Sequence, residues 1–333
     1  MMNRSGTANT AEVATRSVLV ILFDGAQPLD VVGPLDVFST AENFTVGHGA
    51  PYVVRTASLG GETVRCAGGL RVVPDFDLAD VEDPDVLLVP GGPGVEVADD
   101  RLVTWLRERA PRIERVVSVC TGAFLLAEAG LLDGRRATTH WGSCDALAKK
   151  YPQVEVDPSP IFVRDGRIST SAGVTAGVDL AIALVEEDFG RAVAHQIARL
   201  LVVYLRRPGN QAQVSVQLSA QVAHSDPLRE VQYWAAANPA ADLSVPALAQ
   251  RAGLSTRQFS RAFTEQVGLP PGRFVDLVRL EAAQRLLTDT QDGVISIAHR
   301  CGYGTPEAMR RAFLRDLDVS PTGYRRTFAS QPR

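Results

Sequence analysis

The last third of the chain contains one segment twice, and no other feature limits its fold so tightly. Leu248-Ala249-Gln250-Arg251-Ala252-Gly253 recurs 49 positions later as Ile297-Ala298-His299-Arg300-Cys301-Gly302. Beyond the glycine the offset becomes 50, because the second copy carries one more turn residue. Ser255, Arg261, Ala262, Phe263, Val267, Pro271 and Phe274 then match Thr305, Arg311, Ala312, Phe313, Leu317, Pro321 and Tyr324. A short apolar helix, a glycine turn, a Ser or Thr N-cap and an amphipathic Arg-bearing helix make a helix-turn-helix. Two such units in one chain can enter successive major grooves, about 34 Å apart, without a partner subunit. The repeat points to double-stranded DNA.

Each copy divides into an inward and an outward face. In the first, Ser255 is expected to cap the helix, with Phe259 and Phe263 facing the core four residues apart. That leaves Thr256, Arg257, Ser260 and Arg261 outward. Arg257 and Arg261 share a side of the helix, where a guanidinium fork can pair with guanine O6 and N7. In the second, Thr305 caps, Pro306 takes the first helical position, and Met309 and Phe313 point inward. Glu307, Arg310 and Arg311 then face out; Glu307 suits a cytosine amino group, and the arginines suit bases or phosphates. Arg251 and Arg300 lie on the short supporting helices and are expected to pack or pair within the chain.

The formal net charge of −4 excludes a uniformly basic coat, but the charge is uneven. From Asp226 onward there are 14 Arg and 11 acidic residues; the remainder holds 20 basic and 27 acidic. An acidic body with a mildly basic tail suits a chain that touches DNA at one end. Cys66, Cys120, Cys144 and Cys301 have neither metal-ligand spacing nor the look of a disulfide framework, so no metal and no cofactor are expected. Nothing resembles a secretory or membrane-spanning segment, and the cytoplasm is the expected address.

Residues 1–16 are small and polar and are expected to be disordered. Residues 17–206 alternate strand and helix. Val18 to Phe23, Val86 to Val89 and Val116 to Val119 are apolar runs without alternation, as a parallel sheet covered on both faces requires. Ala172 to Glu187 and Arg191 to Arg206 have helical spacing. A polar stretch at 207–225 reads as a linker, and 226–328 reads as all-helical.

Val119-Cys120-Thr121-Gly122-Ala123 is a strand end, a cysteine, and small residues opening a helix: a nucleophile-elbow arrangement. The helix N-terminus there is expected to favour the Cys120 thiolate. Gly91 and Gly92, after another strand, are placed to offer backbone N–H groups to a carbonyl or oxyanion. Asp30 follows the first strand, and His140 reads as structural or pocket-lining.

These motifs carry two family resemblances. Leu248-Ala249, Gly253-Leu254-Ser255, Arg261-Ala262-Phe263, Cys301-Gly302-Tyr303, Val319-Ser320-Pro321 and Tyr324-Arg325 resemble the AraC/XylS-type DNA-binding domain over residues 226–328. Asp318 stands where that family usually has Gly, which implies a slightly weaker helix end. Residues 17–190 resemble the ThiJ/PfpI class, which implies a flavodoxin-like parallel sheet sandwich of the class I glutamine-amidotransferase-like type. Within it the isonitrile hydratase-like proteins are most similar, pairing an acid at the position of Asp30 with a Cys-Thr pair at Cys120-Thr121. The peptidase-like members place His where Thr121 stands, so peptidase activity is not expected.

The fusion resembles the GlxA-type regulators from end to end. It implies a transcriptional regulator with a small-molecule effector, dimerisation through the N-terminal domain and contact with RNA polymerase. Three readings of the Cys120 site stay open: a sensing pocket without turnover, which is preferred; a cysteine-dependent hydratase for an isonitrile or glyoxal; and a residue kept only by the turn.

Overall fold

Strand β1 (Arg16–Ile21) is apolar on both faces because helices cover both sides of the sheet around it. The computed structural model describes residues 15–45, 51–97, 99–203, 213 and 226–328. The expected N-terminal disorder and the expected linker lie outside the described residues, apart from Thr15, Arg16 and Gln213; Arg16 already belongs to β1.

After β1 come α1 (Pro28–Thr40), β2 (Tyr52–Ser58), β3 (Val64–Arg65), β4 (Arg71–Val72), β5 (Phe76–Asp77), β6 (Val86–Val89) and α2 (Asp100–Arg109). Then follow β7 (Arg115–Val119), α3 (Gly122–Glu128), β8 (Arg136–Ala137), α4 (Cys144–Lys150), β9 (Glu155–Val156), β10 (Phe162–Asp165), β11 (Ile168–Ser171) and α5 (Thr175–Leu200). Among the described residues seven strands form one sheet in the order β10-β11-β7-β6-β1-β2-β5, parallel except for the antiparallel pair β10–β11. This is the expected flavodoxin-like sandwich.

Side chains alternate across each strand, so each apolar run feeds two cores. Val18, Val20, Val86, Leu88, Val117 and Val119 pack under α1 and α5. Leu19, Ile21, Leu87, Val89 and Val116 pack under α2 and α3. The sheet ends place the loops after β1, β6, β7 and β11 side by side, where parallel α/β sheets carry their sites.

Helix α5 begins at Thr175, three residues later than its apolar spacing suggests, because Gly173 (φ 110°) and Val174 (φ 48°) form a strained turn before it. It breaks at Gly190 and ends at Leu200, short of Arg206; residues 204–206 lie outside the described set. Just before the break, Asp188 accepts hydrogen bonds from Tyr52 Oη and from both terminal nitrogens of Arg115, tying β2 and β7 to α5.

The chain divides into two compact units at residues 209 and 210. The second contains α6 (Asp226–Ala237), α7 (Val245–Arg251), α8 (Thr256–Val267), α9 (Pro271–Asp289), α10 (Val294–Arg300), α11 (Pro306–Leu317) and α12 (Pro321–Phe328). Its two helix-turn-helix units, α7–α8 and α10–α11, have separate cores. The central helix α9 gives Phe274, Val275 and Val278 to the first and Leu280, Ala283 and Leu287 to the second.

Asp188→Ala leaves a half-buried guanidinium without its carboxylate. It should cost the α/β unit about 3 kcal/mol in a urea unfolding titration; a loss within about 0.5 kcal/mol, the range of ordinary surface changes, would show the tie to be dispensable.

Candidate DNA interface and the Cys120 site

The two turns are built as their sequence signals require. Ser255 Oγ accepts from the Gln258 N–H, and Gln258 Oε1 accepts from the Ser255 N–H, a reciprocal capping box that starts α8. Thr305 Oγ1 accepts from the Ala308 N–H at the start of α11, where Pro306 is the first residue. Phe259, Phe263, Met309 and Phe313 are fully buried. Asp318 ends α11 in the left-handed conformation (φ 51°) that Gly268 adopts at the end of α8.

Thr256, Arg257 and Arg261 are exposed on α8 and Ser260 is half-buried; Glu307, Arg310 and Arg311 are exposed on α11. Among the described residues Arg257, Arg261 and Arg311 make no ion pair. Arg310 instead donates to Glu307 at 3.0 Å, so these two side chains hold each other. An exposed pair of this kind contributes at most about 1 kcal/mol and opens readily when a phosphate or base edge competes. Arg251 stacks on the Trp234 ring at 3.9 Å and Arg300 pairs with Asp292, the intrachain roles expected for both.

In the first unit Cys120, Asp30, Thr121, Gly91 and Gly92 converge. Cys120 turns the chain from β7 into α3 at φ 56°, a conformation that strains any residue with a Cβ. Its backbone is held from both sides: the Cys120 N–H donates to the Ser171 carbonyl, and Thr139 Oγ1 donates to the Cys120 carbonyl at 2.8 Å. Neighbouring backbones press close. A Cβ on Gly91 would lie 2.8 Å from Cys120 Cβ, and one on Gly173 would lie 2.5 Å from it. Thr139, Gly173 and Val174 carry no motif of their own in the sequence, where the helical spacing runs on through Gly173 and Val174.

Asp30 sits in the first turn of α1 and is fully buried. Its carboxylate accepts from the Gly91 N–H at 3.1 Å and the Val174 N–H at 2.8 Å. The Gly92 N–H donates to Thr121 Oγ1 at 2.8 Å. Both glycine N–H groups expected to face a substrate oxyanion are therefore already paired inside the protein. The expected thiolate is also corrected. Burial, and then the Asp30 charge beside it, push the Cys120 thiol up to about 12, against a smaller opposing pull from the Thr121 N–H. Burial likewise holds Asp30 above its ordinary value, despite the N–H groups of Val174 and Gly91. His140 is half-buried; it is near enough to Asp30 to favour its charge, while its Nδ1 accepts from the Gly142 N–H at 3.3 Å.

A cleft of about 460 Å³ between α2, α3 and α4 reaches the elbow at Thr121. Phe124, Glu128, Lys150 and Tyr151 line it, with Tyr151 Oη and Lys150 Nζ both on the Glu128 carboxylate. Among the described residues no group of three or more His, Cys, Asp or Glu side chains is arranged to hold a metal ion, and no helix is long and apolar enough to cross a membrane.

Comparison with known proteins matches residues 16–187 to the DJ-1/PfpI family and residues 248–327 to a helix-turn-helix domain. An HTH-type transcriptional regulator of Mycobacterium tuberculosis is 35% identical over 274 residues, 74% of this chain and 97% of that one. The HTH-type transcriptional regulator GlxA of Rhizobium meliloti is 29% identical over 296 residues, 87% of this chain and 90% of the relative. Isonitrile hydratase of Pseudomonas putida is 36% identical over 191 residues, 56% of this chain and 78% of the enzyme. Among solved structures, a ThiJ/PfpI family protein from Pseudomonas syringae superposes with a TM-score of 0.54 at 25% identity, covering 76% of this chain and 95% of that one.

Alkylation of Cys120 by iodoacetamide should be slow near neutral pH and still rise steeply above about pH 9, because the thiolate is the reacting form. Asp30→Asn removes the facing charge, favours the thiolate and should speed labelling at about pH 8. Peptide mass spectrometry reads both rates; a plateau below about pH 9 in the native protein would contradict the buried, protonated thiol.

Proposed function

The chain belongs to the DJ-1/PfpI family and is a helix-turn-helix transcriptional regulator of the AraC and GlxA type; on that premise we propose how its two units divide the work. The α/β unit senses a small molecule without turning it over. The helical unit reads promoter DNA through Thr256, Arg257, Ser260 and Arg261 on α8 and through Glu307, Arg310 and Arg311 on α11.

One observation carries the sensing reading. The Gly91 N–H already donates to the Asp30 carboxylate and the Gly92 N–H to Thr121 Oγ1, and the Cys120 thiol lies against Asp30. A site that stabilises a tetrahedral intermediate keeps its donors aimed at the developing oxyanion. Here those donors tie three loops together, so a ligand bound beside them shifts the loops and leaves no product. The cleft reaching Thr121 has the volume of a small-molecule site. Homodimerisation through the α/β unit, contact with RNA polymerase and a cytoplasmic location belong to the same proposal.

A second reading has one observation in its favour. The chain shares 36% identity with an isonitrile hydratase over 191 residues, and Asp30 adjoins Cys120 as an assisting acid would. Incubation with a simple alkyl isonitrile separates the two: formation of the N-substituted formamide, lost in Cys120→Ala, would establish the hydratase and sink the pure sensor.

Sequencing of genomic fragments captured by the full-length protein should return a recurrent motif with two halves about one helical turn apart. No enriched motif from folded protein, with and without cell metabolites, would remove the DNA-reading role from these helices. On the recovered site Arg261→Ala should cost about 1–3 kcal/mol and relax the preference at one base. An equal loss on scrambled DNA would make Arg261 a phosphate contact instead.

A further inference from the structure

Among the described residues the two helix-turn-helix units share no buried apolar residue, so something other than a common core must set the angle and distance between their reading helices. The central helix α9 joins them, but a single helix is a compliant spacer that bends over its length. A polar network crosses the junction beside it. Arg273, in the first turn of α9 and just beyond the α8–α9 corner, donates to Asp316 near the end of α11 at 2.7 Å. Arg315 donates to the same carboxylate at 2.9 Å and to Asp276 on α9 at 3.1 Å. The Asp316 side chain is only 9% exposed. Burial opposes its charge, yet hydrogen bonds from Arg273 and Arg315 hold its carboxyl below the usual carboxylate range.

The network is no part of the repeat. Arg315 and Asp316 occupy the positions that hold Glu265 and Gln266 in the first copy. The copies thus differ where the second meets the first, while their caps and core residues match. The turn glycines differ in the same way. Nothing lies within 4 Å of a Cβ built on Gly253, whereas one on Gly302 would come 2.2 Å from the Pro239 carbonyl, just after α6. That carbonyl also accepts from Arg279 Nε of α9 at 3.2 Å. Both contacts therefore brace the second helix-turn-helix unit against α9 and the segment after α6, and the buried charged one grips the second reading helix itself.

We propose that Arg273, Asp276, Arg315 and Asp316 act as a spacing lock, positioning α11 relative to α8 so that the protein discriminates the distance between the halves of its DNA site. These are positioning residues that do not touch DNA. The inference rests on the DNA-reading assignment of α8 and α11.

The test uses the full-length protein and the duplex recovered from the genomic selection. Inserting one base pair between its halves moves the second by about 3.4 Å and turns it by about 34°. The native protein should lose at least about tenfold in affinity on insertion, the scale of one well-formed base contact. Arg273→Gln, which leaves Asp316 paired with Arg315, and Asp316→Asn should each lose less than about threefold, and Arg273→Lys should restore most of the discrimination. On a duplex whose second half is scrambled, all four proteins should bind alike. Unchanged spacing preference in both variants would overturn the lock and assign the geometry to α9 packing. Equal weakening on the full and scrambled duplexes would also overturn it, as damage to the fold. Recovery of a motif with only one half would do the same, because no spacing would then be read. Failure to recover any motif marks a different failure, that of the DNA-reading assignment.

Discussion

A sharp turn inside a protein strips backbone N–H groups of water, and each must then find an acceptor. The Asp30 carboxylate meets that need for the α/β unit. It holds the Gly91 loop after β6 and the Val174 turn before α5, and it lies against the thiol that ends β7. Three loops from three strands are thereby joined to the first turn of α1. The strained backbones of Cys120 and Val174 persist because this carboxylate and the close-packed glycines leave them no room to relax. A buried carboxylate is costly unless it is richly hydrogen-bonded, and that is the condition it meets here.

The helical unit solves the corresponding problem at helix ends. Ser255 and Thr305 satisfy N–H groups in the first turns of α8 and α11, so both helices start at defined residues and present defined faces. Which arginines then remain unpaired is a matter of what each guanidinium already touches. Arg251 is spent on Trp234, Arg300 on Asp292, and Arg273 and Arg315 on Asp316. Arg257, Arg261 and Arg311 have no such partner among the described residues. The sequence counts all of these as equal positive charges.

Much of the architecture could be read in advance because it follows from periodicity. Unbroken apolar runs at Val18, Val86 and Val116 meant strands buried on both faces, and the matched caps, turn glycines and phenylalanines meant two helix-turn-helix units. The elbow at Cys120 was equally legible, since a strand, a cysteine and a run of small residues leave few other conformations. The start of α5 was not: apolar spacing runs on through Ala172, and the turn that delays the helix depends on Gly173 abutting Cys120. Thr139 also went unseen, because its role exists only once β7 and the segment after β8 lie together.

Local residue pattern therefore determined the elements, their caps, the two-unit plan and the elbow at Cys120. Those are short-range matters of side-chain period and backbone preference. Tertiary structure alone decided the state of each functional group. A helix N-terminus favours a thiolate, but burial and the Asp30 charge, from a residue 90 positions away, outweigh it. The glycine N–H groups looked available until Asp30 and Thr121 were found to occupy them. Arg310 looked independent until its rotamer placed it on Glu307. Ionisation and hydrogen-bond supply depend on distances across the fold and on the exclusion of water, and a linear sequence encodes neither until the chain has closed on itself.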